Sequence, residues 1–379
     1  MKTRPLSYAE ERRLLEAEKP RLIVVEDEAL NAETAPADLD HPITPVASFF
    51  IRNNGALPTI TGDEAKAWTL TIDGEVERPA TWTVDALKTS FPVVTVTAVM
   101  ECAGNGRSGF HPITRGLPWG PGAVGCARWT GVRLRDLLEA AGPKPSAVYT
   151  GHFSPDRTAD GSGPAISRGL PMRKALAPET LVAFAMNDEP LTLLHGAPLR
   201  IVAPGFPGSA WQKWLSRISL RDREHDGALM TETDYRLPRR PLRPGDPIDL
   251  ADLAVIEDMP VKSLVTAPAD GFVARPGERI EVRGFAWSGS GPVRGVEVSA
   301  DGGETWRDAE LESAPDRFAW TRFRAPVTVG ESGTVEILAR ATDETGATQP
   351  LDAATWNPRG YCNNGVQRVV GMVGARAAA

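Results

Sequence analysis

The sequence lacks long hydrophobic runs. No apolar stretch approaches the roughly 18 residues that a membrane-spanning helix needs. The N-terminal segment has no apolar core of the kind that a secretory signal carries, because Glu16 and Glu18 interrupt it just after Leu14-Leu15. The pattern favours a helical surface segment instead. We therefore expect no membrane contact and a cytoplasmic protein, or a periplasmic one if a signal has been removed.

Cysteine and histidine are also scarce. The three cysteines, Cys102, Cys126 and Cys362, are too few and too far apart for a disulfide framework or a CxxC zinc site. The five histidines form no HxH or HExxH cluster, and neither CxxCH nor HPGG is present. A histidine-built zinc site and a haem in this chain are therefore not expected. For Cys126 we predict a packed core position.

Positive charge is in deficit, since 42 Lys+Arg against 49 Asp+Glu give a net charge of −7. Nucleic-acid binding needs a basic face, so we do not expect that partner.

A chain of 379 residues that is 41% hydrophobic has room for two domains. We predict an N-terminal extension (1–40), a mixed α/β domain (41–256), an all-β immunoglobulin-like sandwich (257–373) and a tail (374–379), an α+β protein as a whole.

The prediction of a sandwich rests on the alternation of apolar and charged residues along the chain. Ile280 and Val282 alternate with charged residues, as do Val296 and Val298, and glycine-rich turns separate such runs. Several short strands in so few residues are typical of a sandwich. The first 250 residues are mixed, with strands predicted at 68–74, 92–99, 198–203 and 218–220. A helix is predicted at 130–141, closed by Gly142.

The segment VMECAGNGR is the most informative one for chemistry. A β-rich run delivers Cys102 into a loop with two glycines, which let a backbone approach a ligand. Arg107 follows five residues later, and a nearby arginine favours the thiolate, which binds metals and attacks electrophiles. A buried, inert thiol is the default for a lone cysteine. The loop and its arginine argue against that default without fixing one reaction.

Three arginines stand among apolar, glycine or proline residues: Arg52 in FFIRNN, Arg200 in PLRIV and Arg359 in WNPRGY. A buried guanidinium needs an anionic partner, and its fork matches oxyanions. Any one of them could be a structural ion pair, but together they indicate an anion site. Lys213 follows a glycine loop and could contact a phosphate as a point charge. The absence of Walker A and GxGxxG patterns disfavours P-loop and nicotinamide sites.

These ordered motifs resemble the sulfite oxidase family of molybdenum-cofactor oxidoreductases, which includes the molybdenum portion of assimilatory nitrate reductase. The resemblance runs through FFIRN, ECAGN, GAVGCARWTGV, HGAPLR, VAPG and KWL, then through GFAWSG, DGGETW and WNPRG. It implies a molybdopterin-binding domain at 41–256 and an immunoglobulin-like domain used for homodimerisation. It also implies a pyranopterin dithiolene that carries molybdenum. Cys102 matches the cysteine that completes the metal's sulfur ligands, as suits a soft thiolate.

The resemblance also implies roles for individual residues. The residues that match positions at the cofactor are Arg52, Asn54, Asp156, His195, Arg200 and Lys213. Those that match the catalytic and substrate positions are Cys102, Arg107, Trp119, Tyr235 and Arg359. The arginines would draw in and orient an anion, and Tyr235 would donate a hydrogen bond to it or to the metal's oxo group. Sulfite would take an oxygen atom from molybdenum and leave as sulfate.

The chain departs from the family pattern at a few positions. Asn54 stands where the family usually has histidine, and Gly106 replaces the first arginine of CAGNRR. Val366 and Gln367 replace the tryptophan and histidine of NNAWHRV. These changes keep the molybdenum site but bear on the substrate and the electron acceptor. Since no haem motif is present, we expect a separate acceptor: a cytochrome c, oxygen or an unidentified carrier.

Three other interpretations stay open at this point. The same cofactor could serve another oxyanion or thio-compound, as in nitrate reductase or a sulfane dehydrogenase. Cys102 could instead be the nucleophile of a metal-free enzyme, with His111 or His195 as its base. Finally, the chain could be a non-catalytic binding protein that keeps the fold and associates through its second domain.

Overall fold

The computed structural model describes residues 5–26 and 29–374. The predicted tail, apart from Gly374, and residues 1–4, 27 and 28 of the predicted N-terminal extension lie outside the described residues. The expected surface helix is confirmed as α1, Tyr8–Glu18, with a capping box between Ser7 and Glu10. None of the helices described has the length and apolar character to cross a membrane.

The first domain packs two five-stranded sheets on one apolar core. Its elements are β1 Ile23–Glu26, β2 Asn31–Glu33, α2 Gly62–Lys66, β3 Thr69–Gly74, β4 Ala80–Thr83, α3 Val84–Ser90, β5 Val93–Glu101, β6 Val124–Arg133, α4 Leu134–Ala141, β7 Tyr149–Phe153, β8 Gly169–Pro171, α5 Met172–Ala175, β9 Leu181–Met186, β10 Glu189–Pro190, β11 Arg200–Val202, β12 Arg217–Arg221, β13 Arg236–Pro238 and β14 Leu253–Val255. One sheet has the order β4-β3-β12-β7-β8, and the other β10-β9-β6-β5 with β11 also on β9. Both sheets contribute to the core, for example Leu70 of β3 and Val182 of β9.

The predicted strands of this domain are confirmed as β3, β5, β11 and β12. The predicted start of the helix at Thr130 is wrong, because α4 begins only at Leu134. Residues 130–133 continue β6, which pairs with β5 on one side and β9 on the other. The backbone hydrogen bonds that β6 forms with β5 and β9 outweigh the helical spacing of the apolar residues in this segment. The helix ends as predicted at Gly142, which has a φ of 68°.

The second domain is the expected sandwich. Its strands are β15 Lys262–Ala267, β16 Val273–Ala274, β17 Arg279–Trp287, β18 Val293–Ser299, β19 Arg307–Asp308, β20 Glu310–Leu311, β21 Thr321–Thr328, β22 Gly333–Asp343 and β23 Arg368–Val373. They form one sheet of order β15-β17-β21-β20 and another of order β16-β23-β22-β18-β19. The alternating residues predicted from the sequence, such as Val282 and Val296, lie in the core between the sheets.

The two domains meet directly behind the end of β5. The buried Glu101 carboxylate accepts a hydrogen bond from Trp287 Nε1 at 2.8 Å and from Lys262 Nζ at 3.2 Å, both in the second domain. It also accepts from Asn105 Nδ2 at 2.9 Å. Lys262 in turn donates to the backbone oxygen of Asn105 at 3.1 Å. The network therefore fixes the loop that contains Cys102 against the second domain.

We predict that Lys262→Met destabilises the protein strongly. The substitution leaves Glu101 buried without its cation, and removing one partner of a buried ion pair costs about 3–5 kcal/mol. Urea unfolding should show a loss of this size in the free energy of unfolding. Arg217→Met is the control, because its ion pair with Asp73 is partly exposed and such a pair contributes about 0–1 kcal/mol. Equal losses in the two variants would contradict the anchoring role of Glu101.

Candidate active site

Two cavities meet at Cys102, and together they are lined by every site residue that the family resemblance implies. We call them the inner and the outer cavity. The inner cavity is lined by Asp156, His195, Arg200 and Lys213, and the outer cavity by Arg107, Trp119 and Arg359. Both are lined by Cys102, Arg52, Asn54 and Tyr235. The fold thus brings the candidates into one continuous space.

The loop after β5 holds Cys102 in a buried position. The backbone N–H of Cys102 donates to the oxygen of Ala123 at 2.9 Å. Asn105 Oδ1 accepts from the N–H of the same Ala123 at 3.0 Å. Gly106 has a φ of 81°, a conformation that glycine adopts without strain. These bonds fix the loop from both sides and leave Cys102 where the cavities join.

Arg200 carries a buried charge in the inner cavity. Its guanidinium donates to the backbone oxygens of His195 at 3.0 Å and Trp211 at 3.2 Å, and to Met100 Sδ at 3.0 Å. No carboxylate of the described chain forms an ion pair with it. Burial lowers the pKa of Arg200 to about 9. A buried cation without a counter-ion makes this cavity favourable for an anion.

Lys213 adds a second cation, half-buried in the wall of the cavity. Its ammonium donates to Asn53 Oδ1 and to the backbone oxygen of Leu194 at 3.1 Å. Burial, together with repulsion from the neighbouring Arg200, lowers the pKa of Lys213 to about 7. Asp156 also lines the cavity, and burial raises the pKa of that carboxyl group. The inner cavity therefore has more positive charge than its own carboxylate can balance.

Two buried polar atoms of the inner cavity have no hydrogen-bond partner within the residues described, His195 Nε2 and Ser209 Oγ. Burial lowers the pKa of His195 well below its ordinary value, and Lys19 adds to the effect, so the ring is neutral. The His195 ring also packs edge-on against the Phe49 ring, with the two ring centres 5.5 Å apart. The cavity thus offers hydrogen-bonding groups as well as charge.

This combination fits a phosphate-bearing pterin. The cations match a phosphate, and the unpartnered atoms match polar groups of the ring system. Across the described residues, no three His, Cys, Asp or Glu side chains are grouped so as to hold a metal ion. A metal beside Cys102 would have to bring its remaining ligands with it, as a metal bound to a dithiolene does.

Asn54 connects the two cavities. Its Oδ1 accepts a hydrogen bond from Arg52 NH2 at 2.6 Å and another from Tyr235 Oη at 3.2 Å. Arg52 also donates to Asn31 Oδ1 at 3.2 Å. One amide oxygen therefore orients a candidate cofactor ligand and a candidate substrate ligand together.

The outer cavity contains two tethered arginines. Arg107 donates from Nε to the backbone oxygen of Arg359 at 2.8 Å and from NH1 to that of Leu117 at 2.7 Å. Arg359 donates from Nε to Thr233 Oγ1 at 3.0 Å and forms an ion pair with Asp234. These bonds fix the guanidinium planes beside Cys102, and Trp119 closes the wall as a fully buried side chain.

The remaining sequence candidates lie outside this space. His111 is exposed and lines neither cavity. Cys126 is fully buried in the core, as predicted. Cys362 lies against the loop, since its N–H donates to the oxygen of Ala103 at 2.7 Å. Burial raises the pKa of Cys126 and of Cys362 to about 12, which keeps both as inert thiols.

Sequence reasoning missed three residues of the site. Ser209 and Gln212 line the inner cavity, and Arg168 lies behind Tyr235. Ser209 is the last residue of the loop GFPGS, and the two glycines of that loop could have indicated that its backbone approaches a ligand. Arg168 stands in a segment without periodicity, and only the fold brings it to the site.

The chain is similar to known proteins in both of its domains. Residues 54–229 match a family model described as "Oxidoreductase molybdopterin binding domain", and residues 253–372 match "Mo-co oxidoreductase dimerisation domain". The chain is 34% identical over 363 residues to the mitochondrial sulfite oxidase of Macaca fascicularis, covering 92% of this chain and 65% of that protein. It is 32% identical over 380 residues to the sulfite oxidase of Arabidopsis thaliana, covering 94% and 95%.

A solved structure is similar over nearly the whole chain. The sulfane dehydrogenase SoxCD from Paracoccus pantotrophus superposes with a TM-score of 0.78 at 28% identity, covering 97% of this chain and 92% of that one. The fold and the family models place the chain in the class of proteins with a molybdopterin-binding oxidoreductase domain followed by a dimerisation domain. The chain belongs to the sulfite oxidase family. It spans about two thirds of the length of the mitochondrial relatives that it matches.

We predict that Lys213 makes the stability of the cofactor-free chain depend on pH. Its pKa falls from the ordinary 10.5 to about 7 on folding, so the unfolded state binds the extra proton between these values. Stability should therefore rise as the pH increases from 7 to 9, by ~2 kcal/mol from this residue. Urea unfolding of Lys213→Met should lack this part of the rise, whereas the exposed control Lys88→Met should keep it. A wild-type slope in Lys213→Met would contradict the assignment.

Proposed function

We propose that the chain binds molybdopterin in the inner cavity and oxidises sulfite to sulfate in the outer one. The observation that carries this proposal is the meeting of the two cavities at Cys102. One side has Arg200 and Lys213, which form no ion pair within the described residues, and the other has Arg107, Arg359 and Tyr235. A cofactor with its own charge and metal would occupy the first side, and a small anion the second.

The residues of the inner cavity would hold the cofactor. Arg200, Lys213 and Arg52 would bind its phosphate and ring oxygens, and His195 Nε2 and Ser209 Oγ would take up hydrogen bonds to it. Cys102 would be the protein's ligand to the metal, for which a soft thiolate is suited. Bound molybdenum would supply oxygen-atom transfer and two-electron redox chemistry.

The residues of the outer cavity would bind and orient sulfite. Arg107 and Arg359 are positioned before binding, so their charges need little reorganisation when a dianion enters. Asp234 balances Arg359 and sets how strongly that arginine attracts the anion. The Tyr235 hydroxyl donates a hydrogen bond to Asn54 Oδ1 in this structure. It would donate this hydrogen bond to an anion that binds beside Cys102.

The proposal extends to partners. Electrons would leave to a separate acceptor, a cytochrome c, oxygen or another carrier, and this chain itself would carry no haem. The second domain would form the contact of a homodimer, which the description of its family model supports. The cytoplasmic location stays a prediction, since the relatives include mitochondrial enzymes.

A sulfane substrate is a second candidate. The SoxCD structure covers nearly this whole chain, and the outer cavity reaches beyond the two arginines to Arg115, Thr158 and Ala159. Steady-state kinetics on the loaded enzyme with sulfite, a sulfane compound and nitrate should give the highest kcat/KM for sulfite. A higher value for the sulfane compound would replace sulfite by the second candidate, and turnover of nitrate alone would contradict both.

The first experiment measures molybdenum in protein from a host that makes the cofactor. We expect near-stoichiometric metal and sulfite turnover in the wild type. Cys102→Ser should retain metal through the inner cations but lose nearly all turnover, because the thiolate ligand is gone. Cys126→Ser, a buried thiol outside both cavities, is the control and should keep both properties. A folded wild type without molybdenum would overturn the proposal.

A further inference from the structure

Two tyrosines and two arginines form a stack beside the outer cavity. The rings of Tyr235 and Tyr361 lie 5.3 Å apart at an interplanar angle of 15°. The guanidinium carbon of Arg168 lies 4.9 Å from the centre of the Tyr235 ring, and that of Arg107 lies 5.3 Å from the Tyr361 ring. Each ring therefore carries one guanidinium, and the stack links Arg168 to a proposed substrate ligand.

Arg168 is a buried cation whose main counterpart is this stack. It is only 1% exposed, and none of the described carboxylates forms an ion pair with it. NH1 donates to the backbone oxygen of Leu229 at 2.7 Å, while Nε has no hydrogen-bond partner in the described chain. The interaction of a cation with an aromatic face is strongest when both are desolvated. The ring of Tyr235 is therefore a principal stabilising contact of this charge.

Tyr235 needs such support. Its φ of 50° lies in the left-handed region, where a non-glycine residue persists only if its surroundings hold it. The hydroxyl is held by Asn54 at 3.2 Å, and the ring lies between Tyr361 and Arg168 contacts. Among these three supports Arg168 alone carries a charge, so it affects both the orientation of the ring and the potential beside it.

We propose that Arg168 is a positioning residue of the active site, which holds the Tyr235 ring in place and adds a buried positive charge that favours oxyanions in the outer cavity. The identity of the substrate in this inference rests on the proposed function. The inference that the outer cavity favours an oxyanion rests on the stack and on the absence of an ion pair to Arg168 among the described residues.

Arg168→Met and Arg168→Lys test the two parts separately. Methionine keeps much of the side-chain volume and removes the charge, whereas lysine keeps the charge but cannot stack as a flat group. Arg340→Met is the matched control, because Arg340 also lies over an aromatic ring, that of Trp306 at 4.4 Å, but in the second domain. All variants are compared as molybdenum-loaded protein, in which the inner cavity is filled, at equal metal content.

The first readout is the rise in Tm that sulfate, a dianion that does not react, produces in the loaded protein. Arg168→Met should need roughly tenfold more sulfate for the half-maximal rise and should show a similar increase in KM for sulfite. Arg168→Lys should stay within about threefold of the wild type in both values but lose several-fold in kcat, since Tyr235 is less well fixed. Arg340→Met should match the wild type throughout.

A purely structural role would give a different result. Arg168→Met would then have a lower Tm without sulfate, but an unchanged sulfate midpoint and KM, and this outcome overturns the proposal. If Arg168→Met does not fold, a wild-type kcat in Arg168→Lys overturns the positioning role. If the loaded wild type does not oxidise sulfite, the proposed function fails, while the sulfate titration still decides on Arg168.

Discussion

One buried carboxylate, that of Glu101, determines where the candidate metal ligand lies. A charge removed from water is stable only when charged and polar partners surround it. Glu101 finds these partners in Lys262 and Trp287, which belong to the other domain, and in Asn105 of its own loop. Its neighbour Cys102 is thereby fixed where the domains meet. Residues 359–362 contact the same loop, because the N–H of Cys362 donates to the oxygen of Ala103 at 2.7 Å. This contact brings Arg359 to the outer cavity. The second domain therefore completes the site, besides its expected role in dimerisation.

The second constraint is the excess of positive charge around this loop. Arg200 and Arg168 are buried and Lys213 is half-buried, and none of the three forms an ion pair with a carboxylate in the part of the chain that the structure describes. The N-terminal segment adds Lys19, whose pKa burial lowers to about 7. Such charges oppose folding, since each must leave water. Their retention is understandable where an anionic cofactor and an anionic substrate repay the desolvation, a balance between stability and function.

The sequence predicted the parts of this site that depend on local pattern. Alternating residues indicated the sandwich, and a cysteine in a glycine loop with arginines among apolar residues indicated the anion site. Contacts between distant segments could not be read in the same way. The true start of α4 depends on strands that flank β6 on both sides. Arg168 reaches Tyr235 only because the fold brings the two segments together, and no spacing in the chain encodes that contact.

Asn54 shows what a departure from the family pattern changes. The Asn54 side-chain amide bridges two residues of the site, because its oxygen accepts hydrogen bonds from both Arg52 and Tyr235. An amide accepts at any pH near neutrality, whereas a histidine changes from acceptor to donor as it takes up a proton. The bridge therefore keeps the guanidinium and the phenol in place without a titrating group. Asn54 therefore joins Arg52 and Tyr235 through a group that does not titrate near neutral pH.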